Sequence, residues 1–100
     1  MNLFGDQRTV GADRLKMLKE RRQATVNRIK TSRGCADCPP GTQWEAVSLD
    51  FDHLPGQVKE FGIGGHLGRN WQTILAEIAK CDVVCANHHR VRTQRRKQAA

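Results

Sequence analysis

Two pairs of side chains in this sequence have the spacing of metal-binding knuckles. Cys35 and Cys38 are separated by two residues, and Cys85 and His88 repeat that spacing later in the chain. Thiolate and imidazole are the ligands that zinc prefers, and a gap of two residues lets both side chains of a pair converge on one ion. Since two such pairs in 100 residues are strong evidence, the sequence predicts a structural Cys3His zinc site. The alternative is a set of reduced, partly buried thiols packed beside a histidine.

A fourth cysteine leaves the ligand set open. Cys81 and Cys85 are separated by three residues, so a site of four cysteines, with Cys81 in place of His88, also has enough ligands. We favour His88, because a strand over residues 81–85 would carry Cys81 away from the second knuckle. Disulfides are disfavoured in a reducing cytosol, which makes metal binding the better interpretation of these cysteines.

A second group of residues could hold a different ion. Asp52 and His53 are adjacent, and His89 follows the second knuckle. Carboxylate and imidazole suit a hard or borderline divalent ion such as Mg²⁺, Mn²⁺ or Ni²⁺. Neighbours in a strand point to opposite faces, so Asp52 and His53 can serve one site only if the backbone leaves the pleat there. Taken alone, an Asp-His pair is more often an ordinary surface pair.

Three motifs in a fixed order carry a family resemblance. They are Cys35-Ala-Asp-Cys38, Leu49-Asp-Phe-Asp-His53 and Cys81-Asp-Val-Val-Cys85-Ala-Asn-His-His-Arg90. Over residues 35–93 the chain resembles the zinc-stapled HNH endonucleases, above all their small phage and bacterial members. The resemblance implies a ββα-metal (His-Me finger) core. It further implies that Asp52 and His89 hold a catalytic ion and that His53 is the general base.

The sequence departs from the family pattern at three points. His88 stands where the family usually has the second cysteine of the knuckle, an exchange that keeps a zinc ligand. The middle Asn of the family name usually lies shortly before that knuckle, where this chain has Lys80 and Cys81, and Asn70 is the best substitute. Some members have a further histidine one turn after the helix ligand, where this chain has Thr93. The catalytic ion would then depend on two protein ligands, with water and phosphate at its other positions.

The implied activity is hydrolysis of DNA phosphodiester bonds. A neutral imidazole at His53 can take a proton from water at physiological pH, and a divalent ion can stabilise the leaving 3′-oxygen. Basic side chains near His89 could bind the flanking phosphates, although each could equally be a solvated helix charge. The candidates are Arg90, Arg92 and Arg96.

Local patterns predict the elements that would position these residues. Asp13 can begin a helix that runs to about Ser32, with Gly34 just past its end and residues 1–12 as a loose lead-in. Alternating apolar residues predict a strand over 46–53, and residues 57–69 are typical of a surface loop.

Three further elements complete this prediction. Trp71, Ile74, Leu75 and Ile78 predict an amphipathic helix capped by Asn70, followed by a strand over 81–85 and a basic helix from Ala86. The predicted fold class is α+β, a small zinc-stapled ββα-metal domain with a basic N-terminal helix. Residues 1–33 would form the basic arm and helix, and residues 34–100 the nuclease domain.

The charge distribution favours a polyanionic partner. The net charge is +6 over residues 1–33, −4 over 34–89 and +5 over 90–100. Two basic arms around an acidic centre favour DNA as the partner. Two other functions fit the same sequence. One is a non-catalytic zinc module that binds DNA or RNA. The other is an adaptor that binds a phage packaging or replication protein through the Trp71 helix. The oligomeric state stays open.

No run of about 20 apolar residues and no signal-peptide core is present in the sequence. We therefore expect neither a membrane-spanning nor a secreted protein, but a cytoplasmic one, in the host cytoplasm if a phage encodes it.

Overall fold

A computed structural model describes the backbone of residues 6–99 and the side chains of residues 11–99. Three helices and two strands follow one another along the chain. They are α1 (Asp6–Arg33), β1 (Leu49–His53), α2 (Trp71–Ile78), β2 (Cys81–Cys85) and α3 (Ala86–Ala99). Single 3₁₀ turns at Ala46–Ser48 and Ile63–Gly65 lie in the connections. The predicted α+β class is confirmed.

Helix α1 is longer than the sequence predicts. It begins at Asp6, so Asp13 is an interior residue and not the cap, and the predicted lead-in is wrong over residues 6–12. Residues 1–5 lie outside the described part of the chain. A glycine inside a helix, here Gly11, costs only about 1 kcal/mol of helix stability relative to alanine, and the adjacent helical turns offset that cost. The C-terminal end is as predicted, because Gly34 has φ 67° and its N–H donates to the Lys30 carbonyl at 2.9 Å.

The two strands pair antiparallel, with Leu49 opposite Cys85 and His53 opposite Cys81. Strand β1 begins three residues later than predicted, because residues 46–48 form a 3₁₀ turn in which Val47 is 86% exposed. Alternation along β1 places Asp50 and Asp52 on the face that meets α3. His53 lies on the opposite face and contacts α2. Strand β1 keeps its pleat through His53, which pairs with Cys81, so the expected departure from the pleat is wrong. Asp52 and His53 are instead linked through another element, by His89 of α3.

The main core crosses four segments of the chain. Its buried members are Val26, Phe61, Ile63, Leu67, Ile74, Ile78 and Cys81. The segment 57–69, predicted as a surface loop, therefore contributes three core side chains. Its apolar residues are separated by glycines that let the backbone turn, and the Arg22 guanidinium of α1 donates to the carbonyls of Leu67 and Arg69 at 2.8 and 2.7 Å. Val26 brings α1 into the same core.

A second, smaller cluster lies beneath the cysteines. Leu49, Val83 and Cys85 are buried there, and Cys35, Cys38, Trp44 and Phe51 pack against them. Helix α2 forms as predicted, because the Asn70 side chain accepts hydrogen bonds from the backbone N–H groups of Gln72 and Thr73. The helix presents Ile74 and Ile78 to the main core.

No helix within residues 6–99 combines the length and the apolar character needed to cross a bilayer.

Candidate functional site

The four ligands predicted for zinc converge on one point. Atoms of Cys35, Cys38, Cys85 and His88 lie within 4.8 Å of one another. His88 Nδ1 is 3.6 Å from Cys35 Sγ, 3.4 Å from Cys38 Sγ and 3.3 Å from Cys85 Sγ. The Cys38 and Cys85 sulfurs are 3.9 Å apart. These four residues could hold a metal ion.

The separations fit tetrahedral zinc. Bond lengths of about 2.3 Å to sulfur and 2.05 Å to nitrogen put two sulfurs about 3.8 Å apart and a sulfur and a nitrogen about 3.6 Å apart. A buried donor supports the same conclusion. Within the described residues, the buried Trp44 Nε1 has no hydrogen-bond partner, and Trp44 packs against the same small cluster as Cys38. An indole N–H next to a metal-bound thiolate would be satisfied.

The elements hold the cluster by short backbone contacts. Gly34 ends α1 directly before Cys35, and the Ala36 N–H donates to the Val83 carbonyl at 2.8 Å, which fixes the first knuckle on β2. His88 lies in the first turn of α3, where its backbone N–H donates to Cys85 Sγ at 3.4 Å. Burial raises the pKa of Cys35, but backbone N–H groups, that of Cys85 first, outweigh it and lower the pKa to about 6.

Cys81 lies outside this cluster. Its thiol is buried in the main core and donates to the Glu77 carbonyl at 3.4 Å. Burial, followed by the nearby carboxylates of Glu77 and Asp52, raises the pKa of Cys81 to about 11. A protonated thiol in an apolar core is a poor zinc ligand, so the preference for His88 over Cys81 agrees with the geometry.

A cleft of about 380 Å³ brings together two of the three residues predicted for the chemistry. Asp50 and His53 of β1 and His89 of α3 all line it. Lys30 of α1 and Lys59 of the long connection lie on the same wall. The Lys30 ammonium stands over the Phe51 ring, 5.3 Å from its centroid. Burial lowers the pKa of Lys30, against the opposing influence of Asp50.

Asp52, the third of those residues, is not on the cleft wall. Its side chain is 3% exposed, and its two oxygens accept hydrogen bonds from Arg96 at 2.7 and 2.8 Å and from Arg92 at 2.9 Å. Burial would raise the pKa of Asp52, but these two guanidinium groups outweigh it and lower the pKa. Asp52 Oδ1 is 3.6 Å from His89 Nε2, while Asp50 Oδ2 is 3.1 Å from His89 Nδ1.

The three arginines predicted to bind phosphate differ in their exposure and in their hydrogen-bond partners. Arg92 is bonded to Asp37, Asp52 and Asp82 at 2.6 to 3.0 Å, which raises its pKa. Arg96 is bonded to Asp52 and stays 40% exposed. Arg90 is exposed. Asp52 and Asp82 are opposite one another across the sheet, so Arg92 compensates a like-charge pair. The geometry gives Arg92 a structural role.

The sequence reasoning missed Glu77. This α2 residue is 2% exposed and accepts hydrogen bonds from His53 Nε2 at 2.7 Å, Lys80 Nζ at 2.8 Å and the Glu60 backbone N–H at 3.0 Å. Burial would raise the pKa of Glu77, but the bonds from Lys80, His53 and Glu60 outweigh it and lower the pKa to about 2. One signal was available, because Glu77 lies three residues after Ile74 and beside Ile78 on the apolar side of α2.

The substitute for the middle Asn of the family pattern has a local role. The Asn70 side chain is used in capping α2. Lys80, which stands in the usual place of that Asn, donates to the Val58 carbonyl at 2.8 Å and to Glu77, and its own carbonyl accepts from Leu54 N–H at 2.9 Å. Lys80 thus ties the loop after β1 to the start of β2.

Comparisons of the chain with protein-family models, with curated proteins and with solved structures found no match. The resemblance to HNH endonucleases therefore depends on the three sequence motifs alone.

Proposed function

We propose that this protein is a metal-dependent endonuclease of the zinc-stapled HNH type, which hydrolyses DNA phosphodiester bonds and nicks one strand as a monomer. One observation carries the proposal. His53, from the end of β1, and His89, from the first turns of α3, line a single cleft although 35 residues separate them in sequence. Along the chain β1 precedes β2 and β2 precedes α3, which is the element order of a ββα-metal unit.

The zinc cluster explains how such a small unit holds this geometry. Its ligands join the end of α1 to β2 and α3, and His88 fixes the helix turn that presents His89. Adjacent helix residues diverge by about 100°, so one can face zinc while the next faces the cleft. In this proposal the zinc is structural and takes no part in the chemistry.

Asp52 and His89 are the proposed ligands of the catalytic ion. Two cis ligand atoms at about 2.1 Å from one ion lie about 3 Å apart, and Asp52 Oδ1 and His89 Nε2 are 3.6 Å apart. Arg96 must leave Asp52 for an ion to enter, which its 40% exposed side chain permits. An ion such as Mg²⁺, Mn²⁺ or Ni²⁺ would neutralise the phosphate and stabilise the leaving oxygen.

The protein's own groups supply the remaining steps. His53 accepts a proton from the attacking water, whose oxygen forms a bond to phosphorus while the bond to the 3′-oxygen breaks. The leaving 3′-oxygen takes a proton from solvent water, which gives a 3′-hydroxyl and a 5′-phosphate. Lys30 and Lys59 on the cleft wall are placed to bind the phosphate. This assignment replaces Arg92, whose guanidinium is used by three aspartates.

A non-catalytic zinc module that binds DNA or RNA is the second candidate. The observation in its favour is the closed ion-pair network around Asp52, in which Arg92 and Arg96 occupy both carboxylate oxygens. Such a module needs no ion at Asp52 and no proton acceptor at His53.

Plasmid nicking separates the two functions. Zinc-loaded protein is incubated with supercoiled plasmid and EDTA, Mg²⁺, Mn²⁺ or Ni²⁺, and open-circle product is measured over time. We expect nicking with at least one divalent ion and none with EDTA. His53→Ala should lose on the order of 10² to 10⁴ in rate while zinc content and DNA affinity are retained.

His66→Ala is the matched control. His66 is exposed and bonds through Nδ1 to the Gly62 carbonyl, outside the cleft wall. It should nick at the wild-type rate. Wild-type protein that binds DNA but never nicks, or a His53→Ala variant as fast as wild type, would favour the non-catalytic module.

A further inference from the structure

The Glu77 carboxylate is a buried polar group with every oxygen hydrogen-bonded, and neither the motifs nor the predicted chemistry includes it. Its side chain is 2% exposed and lies on α2, an element inserted between β1 and β2. Buried carboxylates are costly unless every oxygen is compensated. Here Oε2 accepts from His53 and the Glu60 backbone N–H, and Oε1 accepts from Lys80.

These donors determine which form of the His53 ring is present. Two of them, a backbone N–H and an ammonium group, can only donate, so they favour the ionised, acceptor-only carboxylate. His53 Nε2 lies 2.7 Å from that carboxylate, and it must therefore be the donor. In a neutral imidazole only one ring nitrogen bears hydrogen, so the lone pair is left on Nδ1.

We propose that Glu77 is a positioning residue for His53, which holds the ring as the Nε2–H tautomer and leaves Nδ1 as the proton acceptor. This inference rests on the proposed function for the use of Nδ1, whereas the tautomer itself does not depend on any activity. A carboxylate behind a catalytic imidazole both orients the ring and stabilises its protonated form after proton transfer.

Lys80 and the Glu60 backbone give Glu77 its own fixed position. Lys80 also donates to the Val58 carbonyl at 2.8 Å. The same ammonium group therefore ties the loop that follows His53 to the carboxylate that holds it. The arrangement is a chain of contacts from the loop to Lys80, to Glu77 and to His53.

The tautomer can be measured directly. In protein labelled with ¹⁵N at the imidazole rings, long-range ¹H–¹⁵N spectra distinguish a protonated from an unprotonated ring nitrogen, and His53→Ala identifies the His53 signals. We expect wild-type His53 with hydrogen on Nε2 at neutral pH. Glu77→Gln should shift the signals towards a mixture of tautomers. Hydrogen on Nδ1 in the wild type would overturn the proposal without any variant.

Glu60→Gln is the matched control. It removes the same charge from a residue that meets Glu77 through its backbone N–H, so the ring signals should not change. Nicking rates complete the test. Glu77→Gln should lower kcat by about 10² to 10⁴ with little change in KM, as expected when a base is left in the wrong tautomer. Equal kcat in Glu77→Gln and wild type would contradict the positioning role.

The two proposals fail in different ways. Wild-type protein with the Nε2–H tautomer but without nicking activity would overturn the endonuclease and leave the Glu77–His53 pair in place. Active protein with an unchanged tautomer in Glu77→Gln would overturn the pair and leave the endonuclease.

Discussion

Cys81 and Cys85 stand on one short strand, yet their thiols are in unlike environments. Cys81 faces the apolar core, whereas Cys85 faces Cys38 and His88. Spacing alone left both cysteines available as zinc ligands, because it does not show which of the two thiols lies near the first knuckle. The distances decide the question, because Cys85 Sγ is 3.9 Å from Cys38 Sγ and 3.3 Å from His88 Nδ1, whereas Cys81 Sγ donates to the Glu77 carbonyl.

Zinc content should separate these cysteines. Cys38→Ser should lose bound zinc and cooperative unfolding, because structural zinc binding supplies folding free energy directly. Cys81→Ser should keep one zinc per chain and lose about 1 to 2 kcal/mol of stability, since it only exchanges a core thiol for a hydroxyl. Metal analysis of the purified variants and denaturant unfolding measure both effects. Loss of zinc from Cys81→Ser with retention in His88→Ala would show that the ligand set is wrong.

Glu77 should give stability a defined dependence on pH. Its pKa falls from 4.5 to about 2 on folding, so the folded state releases the proton more easily than the unfolded chain. The stabilisation is therefore full above about pH 5 and is lost as the pH falls towards 2. The groups that face this carboxylate are His53, Lys80 and the Glu60 N–H.

The comparison is between wild type and Glu77→Gln, each unfolded with urea at saturating zinc from pH 7 to pH 4. The gap in unfolding free energy should narrow between about pH 5 and pH 4, where Glu77 of the unfolded chain takes up its proton. Because both proteins have the same candidate zinc ligands, release of zinc in acid affects both. A gap that does not narrow over that range would contradict the ionised state of Glu77.

The candidate metal ligands were predictable from the sequence because their chemistry is local. Two knuckles show their spacing within four residues each. Asp52 and Glu77 were not predictable in the same way, since their partners come from distant segments. A residue-by-residue pattern names Asp52 as a ligand but does not show that Arg96 and Arg92 already bind it.

Among the elements, α3 is attached to the sheet by polar side chains, of which Arg92 joins the most segments. The helix has no buried side chain of its own, and Arg92 joins it to the first knuckle, to β1 and to β2 through three aspartates. Together with the cluster ligand His88, this side chain fixes the helix that presents His89.

Arg92→Met should therefore destabilise the protein, by about 2 kcal/mol in denaturant unfolding. Removing one partner of a buried ion pair costs about 3 to 5 kcal/mol, and here Arg96 still compensates Asp52. The matched control is Arg90→Met on the exposed side of α3, which should stay within about 0.5 kcal/mol of wild type. Equal stability of the two variants would show that the aspartate network adds nothing.

Element types were better predicted than element bounds. Helix α2, strand β2 and the end of α1 follow from an Asn cap, an apolar run and a glycine. The start of α1 and the connection 57–69 both differ from the prediction at glycines, but for different reasons. Gly11 lies inside α1 at a cost that the adjacent helical turns offset, whereas in the connection Phe61, Ile63 and Leu67 find partners in the core.

At the scale of the whole molecule, the basic helix α1 also contributes a side chain to the main core. Val26 is 2% exposed, so deletion of residues 1–32 would remove core packing together with charge. The exposed arginines of α1 are the better test of DNA affinity. They include Arg21, Arg28 and Arg33.

Exchange of these three arginines for glutamine should weaken DNA binding and its salt dependence together. Each lost phosphate contact reduces the slope of log K against log salt by about 0.9. Fluorescence anisotropy with a DNA duplex in EDTA, over a series of NaCl concentrations, measures the slope without cleavage. Ala24→Gln, an uncharged change at an exposed position of the same helix, is the control. An unchanged slope would show that α1 does not contact phosphate.

The order in which the candidate zinc ligands occur along the chain has a consequence for biosynthesis. Cys35 and His88 are 53 positions apart, and within the described residues β1 pairs only with β2. A ribosome that has translated only the first knuckle has therefore released neither a complete metal site nor a sheet. Folding must wait until translation has passed His88, after which the two knuckles can close on one ion. Any chain interrupted by a frameshift or a premature stop before that codon is left without a stable fold and is open to proteolysis.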